Sequence, residues 1–439
     1  MTAGARRRLG AGLAAAPAAA RTVQWAVLTA VVPAVLGAVG FHAGAAVAQE
    51  VVDLPAEDRL LSPDLELVYR IGSAGAEAEW EEFSSIESLW FDGAGNLHLM
   101  DQAGGFLGRA RIVVVDSAGG LVAEFGRSGD GPGEFRAPRQ MYVWADGSTL
   151  VQDIMHMGYH VFAAGGEFER MLGRDLGSDM RPERTGGRSI LGGSGNPSAG
   201  EEGRAILRFD LSSEDPSSGE VPAQRLVEVW APREAEARSH EAGDIEDMVR
   251  AEWAFEPALL FDVLPSGGVA FSDSSAYAIK LTDASGAVSR VLRRPIRPLP
   301  VTEAMRREER ERRLERLRNR PVSVRGTPSP DAMATMNFLV EGQMREVENM
   351  RFYPEVPVVA AVRTTWDGTL WVQRSAEPGA EEPGPIDVLA PDGRYLGTLA
   401  PDVLEMPAAF GPGGLVAFVE ADAFDVPVIT VRRLPPVLR

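Results

Sequence analysis

An apolar stretch that runs into a tight glycine-bearing turn and returns as a second apolar stretch recurs along this 439-residue chain. In one copy Leu89-Trp90-Phe91 leads into Asp92-Gly93-Ala94-Gly95-Asn96 and comes back as Leu97-His98-Leu99-Met100. A polar, Gly-rich loop follows from Asp101 to Arg109. Ile112-Val113-Val114-Val115, the turn Asp116-Ser117-Ala118-Gly119-Gly120 and Leu121-Val122-Ala123-Glu124-Phe125 then make a second hairpin. Gly, Asp and Asn tolerate the positive φ angles that such short turns demand, so the pattern fixes two hairpins and four strands per unit.

The unit returns. Tyr142-Val143-Trp144, Ala145-Asp146-Gly147 and Thr149-Leu150-Val151 open a second copy, and Phe261 to Phe271 with the turn at Pro265-Ser266-Gly267-Gly268 opens another. Thr365-Trp366-Asp367-Gly368 with Leu370-Trp371-Val372, and Phe410 to Phe418 around Gly411-Pro412-Gly413-Gly414, mark two more. Measured at Leu97, Leu150, Val269, Leu370 and Leu415, the intervals are 53, 119, 101 and 45 residues. The 119-residue interval is two units wide, with Arg204–Asp210 and Arg225–Trp230 as strands of a poorly marked third copy; the 101-residue interval holds a helical insertion. Six units of four strands predict an all-β, six-bladed propeller rather than an irregular sandwich.

The last unit runs out after Val431, one strand short, while Leu65–Gly72 precedes the first unit as an unpartnered strand. Its exit, Ile71-Gly72-Ser73-Ala74-Gly75 then Glu82-Phe83, repeats Phe125-Gly126-Arg127-Ser128-Gly129 then Glu134-Phe135. An N-terminal strand completing the last blade removes an open edge. At the Asp-Gly-x-Leu hairpins and at Phe125-Gly126-Arg127-Ser128-Gly129-Asp130-Gly131-Pro132-Gly133-Glu134-Phe135 the chain resembles six-bladed propellers of the NHL-repeat type, most of all the uncharacterised exported bacterial ones. The likeness covers nearly all of the chain beyond residue 48. It departs at the faint third blade and at the insertion, 300–352. It implies a fold and leaves activity open.

Basic residues Arg6, Arg7, Arg8 and Arg21, an apolar run from Val23 to Ala48 and the small residues Ala46-Val47-Ala48 predict a signal peptide over 1–48, with an uncleaved anchor as the alternative. Residues 49–63 then read as a linker and 64–439 as the propeller. Removing 1–48 takes four arginines and no acid, leaving 40 basic and 63 acidic residues, a net charge of −23. Such a surface repels nucleic acid and anionic membrane. The chain has no cysteine, which excludes disulfides and thiolate chemistry.

No Gly-x-Ser-x-Gly elbow is present, and Gly129–Gly133 lacks the Lys-Ser/Thr of a phosphate loop. Beyond residue 48 the histidines are His98, His156, His160 and His240. His156 and His160 are four apart, but they straddle Gly158 in an apparent loop with no accompanying Glu, so no metal site is assigned to them. The position ending the second strand of each unit is more informative: Asp101, Asp153 and Asp273 occupy it, with Arg374 in the fifth unit and Glu420, one residue out of step, in the sixth. In a propeller these positions ring one channel mouth. Convergent carboxylates there could hold Ca²⁺, whereas Arg374 breaks the acidic ring and favours an asymmetric polar pocket; capping of each local turn by its own Asp is the structural alternative.

The segment 301–320 alternates Arg and Glu as a solvated helix does. After Asp331, Met333, Met336, Val340, Met344, Val347 and Met350 recur at helical spacing, and the stripe is expected to dock on the propeller. Because the insertion joins two blades, it should emerge on the face of the loops between second and third strands, above the acidic positions. The functional expectation is an exported, non-enzymatic scaffold that binds a protein, peptide or glycan at its channel face. The alternative is a metal-dependent (Ca²⁺ or Zn²⁺) hydrolase or lyase.

Overall fold

Each of the six repeats forms a four-stranded antiparallel sheet, and the six sheets follow one another around a central axis. The computed structural model describes residues 49–74, 76, 78–103, 109–173, 176, 178–194, 204–212, 221–231, 253–319, 340–380 and 382–439. The predicted signal peptide, 1–48, and His240, Asp331, Met333 and Met336 lie outside the described residues. Blade one comprises Ile86–Phe91, Leu97–Ala103, Arg109–Val115 and Leu121–Phe125. Blade two comprises Pro138–Val143, Thr149–Asp153, Gly158–Phe162 and Phe168–Leu172. The faint third blade is complete: Ser178–Pro182, Ser189–Ser194, Arg204–Asp210 and Ala223–Val229. Blade four has Leu260–Val263, Val269–Ser272, Ala278–Thr282 and Val288–Arg293; blade five has Val359–Thr364, Leu370–Arg374, Ile386–Leu389 and Tyr395–Leu399.

Blade six is built from both ends of the described chain. Ala409–Phe410, Leu415–Ala421 and Pro427–Arg433 are joined by Glu66–Ile71, which pairs antiparallel with Pro427–Arg433. The ring is thus closed by the N-terminal strand, as the sequence predicts. The repeated exit motif has one cause in both places. Gly72 (φ 84°) and Gly126 (φ 79°) adopt left-handed backbone beneath Phe83 and Phe135, and a Cβ would come within 2.8 Å and 2.4 Å of those rings. Only glycine meets both demands.

The alternation of side chains along each strand packs one blade against both neighbours. Leu97, Leu99, Val113 and Val115 join Ile429 and Val431 in the core between blades one and six, whereas Met100, Ile112 and Val114 join Met141, Val151 and Phe162 between blades one and two. Comparable apolar clusters fill the other four blade interfaces. The segment ahead of the closing strand adds edges of its own. Glu50–Asp53 runs parallel to Val288–Arg293, and Leu60–Leu61 parallel to Tyr395–Leu399, giving blades four and five a fifth strand.

The insertion after blade four contains a helix, Glu303–Asn319, and a second helical stretch at 340–348. It lies on the face of the loops between second and third strands: Ser275, in that loop of blade four, donates from Oγ to Glu355 Oε2 at 2.7 Å and accepts from Val358 N–H. Gly379, in the matching loop of blade five, lies against the Glu308 carboxylate. The first helix is not purely solvated. Glu309 is buried and paired with Arg312 and Arg313, and Arg306 and Arg310 lie over the Phe352 ring. Met344 and Val347 are half-buried and Met350 is buried, as docking of the second helix requires.

Candidate functional site

Strand pairing fixes which residues are equivalent. Each first hairpin closes on a pair: Phe91 with Leu97, Val143 with Thr149, Val263 with Val269, Thr364 with Leu370 and Phe410 with Val416. Four residues beyond the second member stand Asp101, Asp153, Asp273, Arg374 and Glu420. Glu420 is therefore in register with the others, and the apparent one-residue step came from counting from the turn.

These carboxylates hold the protein's own backbone. Asp101 Oδ1 accepts from Ser84 and Ser85 N–H, and Oδ2 pairs with Arg111 at 3.1 Å. Asp153 accepts from Arg136, Ala137, Met155 and His156 N–H. Asp273 accepts from Trp230 N–H and is bridged by Lys280 Nζ at 2.7 and 2.8 Å. Each acid thus anchors loop backbone on its own face of the ring, with a basic neighbour in two of the three cases. Asp101, Asp153 and Asp273 do not come together; among the described residues the one grouping of three His, Asp or Glu with metal-compatible spacing is Asp153, His156 and His160. In blade five the charges are exchanged. Arg374 takes the acid's place, and Asp387 stands opposite Val372 as Lys280 stands opposite Phe271. Arg374 pairs with Asp58 at 2.7 Å and lies 3.7 Å from Asp387.

The cavity lies elsewhere, at the opposite end of the channel. It is small, about 80 Å³, opens to solvent, and is lined by first-strand residues and adjoining turns from all six blades. Its walls include Trp90, Phe91, Trp366 and Phe410, and its charged groups are Arg181, Arg184, Arg363, Asp262 and Glu183. Blade three contributes Arg181 from its first strand and Arg184 from the turn that follows it. Glu183 is taken by Arg208 at 2.8 Å. Asp262 accepts from Val263 and Thr364 N–H, and stands 3.8 Å from both Arg181 and Arg184.

The three guanidinium groups are not equally satisfied. Arg184 donates to the Thr364 and Thr365 carbonyls and lies over Trp366. Arg181 donates to the Met180 carbonyl at 2.8 Å and lies over Phe261. Arg363 has no hydrogen-bond or ion-pair partner among the described residues. Desolvation and the nearby Arg181 charge push its pKa down to about 10, against the weaker opposing pull of Asp262 and Asp179. It still carries its charge at neutral pH, inside a protein whose net charge is −19. None of the four sequence-predicted site residues lines this cavity. Arg181, Arg184 and Arg363 are not among the residues the repeat pattern singles out, although an Arg interrupting an apolar first strand, as in Val362-Arg363-Thr364, is a signal that can be read.

No family model matches the chain, and no curated protein matches its sequence. Solved structures that resemble it include a "Putative exported protein" of Bacteroides fragilis NCTC 9343, with 9% identity, 88% of this chain and 99% of that one covered, and a TM-score of 0.49. Another is a member of the duf4221 family from Bacteroides vulgatus ATCC 8482, with 11% identity over 86% and 99% and a TM-score of 0.47. A streptogramin B lyase matches with 11% identity over 86% and 100% and a TM-score of 0.37. Likeness at this level carries no functional argument.

Proposed function

We propose that the protein is an exported, non-enzymatic binding propeller whose channel takes up a small organic anion. The observation that carries this reading is Arg363: a desolvated guanidinium, without a partner among the described residues, in an open cavity beside Arg181 and Arg184. Arg363 is partly buried and spends no hydrogen bond on any described residue, so an anion that docks there gains a charge-assisted pair without displacing a protein partner. The aromatic walls favour a ligand with an apolar body, such as an aryl carboxylate, over a bare inorganic ion. A carboxylate matches the fork of a guanidinium, and each such charge-assisted bond contributes about 1.5–3 kcal/mol. The basic, then apolar, N-terminal segment supports export, and the Asp-Gly hairpins support a propeller of the NHL-repeat type. A peptide or protein partner would then engage through a terminal or side-chain carboxylate.

The metal-dependent hydrolase or lyase reading needs a metal ion in the channel, and Asp153, His156 and His160 do not line this cavity. The test is calorimetric titration of the purified protein with benzoate, with its neutral isostere benzamide, and with inorganic phosphate. The reading expects saturable 1:1 binding of benzoate that benzamide does not reproduce. Equal binding of benzoate and benzamide, or none of either, would sink it.

A further inference from the structure

A second constellation sits in blade two, away from the cavity. Asp153 ends the second strand, His160 lies in the third, and His156 is carried by the turn between them, where Met157 adopts a left-handed φ of 52°. His156 Nδ1 lies 3.1 Å from His160 Nε2 and 3.3 Å from Asp153 Oδ2, and the three donor atoms are all within 4.8 Å of one another.

Proton accounting leaves this cluster unsatisfied. If His156 Nδ1 carries the proton, it can serve Asp153 or His160, and His160 must then be protonated on Nδ1, which is buried without a partner among the described residues. If His160 carries its proton on Nε2 and donates to His156, the His156 Nδ1 lone pair is spent there while a carboxylate oxygen stands 3.3 Å away, acceptor against acceptor. Neither tautomer satisfies every group. A cation at the centre takes all three inward lone pairs at once; His160 Nδ1 lacks a protein partner in each arrangement.

We infer that Asp153, His156 and His160 form a binding site for a divalent transition metal of the zinc type. Two imidazoles and one carboxylate are a donor set suited to such ions. Bonds of ~2.0–2.1 Å at tetrahedral angles separate neighbouring donors by ~3.3 Å, close to the two spacings of His156 from His160 and from Asp153. The outer groups fit as well. Four backbone N–H groups fix the Asp153 carboxylate, and His156 turns its Nε2 toward Asp130 Oδ1 at 3.7 Å, the outer carboxylate that orients many metal-bound imidazoles. Asp153 and His160 are buried, His156 is only partly so, and its chain neighbours Met155 and Met157 are exposed, so the cluster opens to solvent on the side of His156.

The test uses the full chain, stripped by chelator and dialysed, titrated with Zn²⁺ alone by calorimetry and with Co²⁺ by visible absorption. One Zn²⁺ per chain is expected, with d–d bands of low-symmetry Co²⁺. His156→Asn alters a side chain that is only partly buried and should weaken Zn²⁺ at least about tenfold, while Asp130→Asn should cost less. A wild-type chain that binds no Zn²⁺, or a His156→Asn chain that binds it as tightly as wild type, would overturn the inference.

Discussion

Arg294 and Asp387 join the fourth strand side of blade four to the third strand of blade five through an ion pair in which Arg294 Nη1 donates to both carboxylate oxygens at 2.8 Å and both side chains are wholly buried. Arg294 also reaches Asp58 and the carbonyls of Pro55 and Glu57, so the pair fastens the N-terminal strap as well as two blades. Asp387→Ala leaves Arg294 buried with its main counter-charge gone, which should cost about 3–5 kcal/mol. Urea unfolding checks this; a loss below about 1 kcal/mol would show that the strap carries the joint alone.

Ring closure predicts an unusual sensitivity near the N-terminal end of the propeller. Ile71 and Tyr69 are buried between blades six and one. Ile71→Ala should lose about 2–5 kcal/mol, the range of a core cavity, and deletion through Gly72 should expose the edge of Pro427–Arg433 and abolish cooperative melting. A truncated chain that melts like the parent would contradict the closure.

Acid should weaken the strap and the first hairpin together. Burial raises the pKa of Asp58 and Asp92, but ion pairs with Arg374 and Arg294 in one case, and hydrogen bonds from His98 and Asn96 in the other, outweigh it and hold both carboxyls below the ordinary Asp value. The unfolded chain therefore takes up these protons first. The stabilisation is complete above about pH 5 and is lost as pH falls through about 4 toward the lowered folded values. Unfolding free energy measured from pH 6 to pH 3 should fall, and less steeply in Asp58→Asn. An identical slope in the variant would remove Asp58 from the account.

The acidic positions at the ends of the second strands should behave as anchors. Asp101→Asn and Asp273→Asn each weaken bonds to loop backbone and a basic side chain, for a loss of about 1–3 kcal/mol, while benzoate affinity stays at the wild-type value. Reduced affinity at wild-type stability would instead make those residues part of a ligand site.

What the sequence disclosed follows from where local chemistry suffices. Turns at Asp92–Asn96 or Pro391-Asp392-Gly393 need particular residues for their φ angles, so strands, blade count and even the strand of blade three at Arg204–Asp210 could be read in order. The first half of blade three is not legible in the sequence because Arg181-Pro182 and Gly192-Gly193 break the apolar pattern within its strands. Asp101, Asp153 and Asp273 were visible as a repeated acid, but not what they hold, since Ser84, Arg136 and Trp230 reach them only after folding. The cavity was hidden for a related reason. Arg181, Asp262 and Arg363 lie far apart in the chain, on three different blades, and meet only because the ring closes.

Arg363 separates function from stability, and one pair of measurements on Arg363→Met tests the channel directly. Replacing this partly buried cation, which has no hydrogen-bond or ion-pair partner among the described residues, with an apolar side chain of similar length should raise the melting temperature, by the equivalent of about 1 kcal/mol. The same variant should lose benzoate affinity by roughly tenfold to a hundredfold, the worth of one charge-assisted hydrogen bond. A melting temperature that rises while benzoate binding falls is the predicted result. A destabilised variant that binds benzoate as well as wild type would contradict the account.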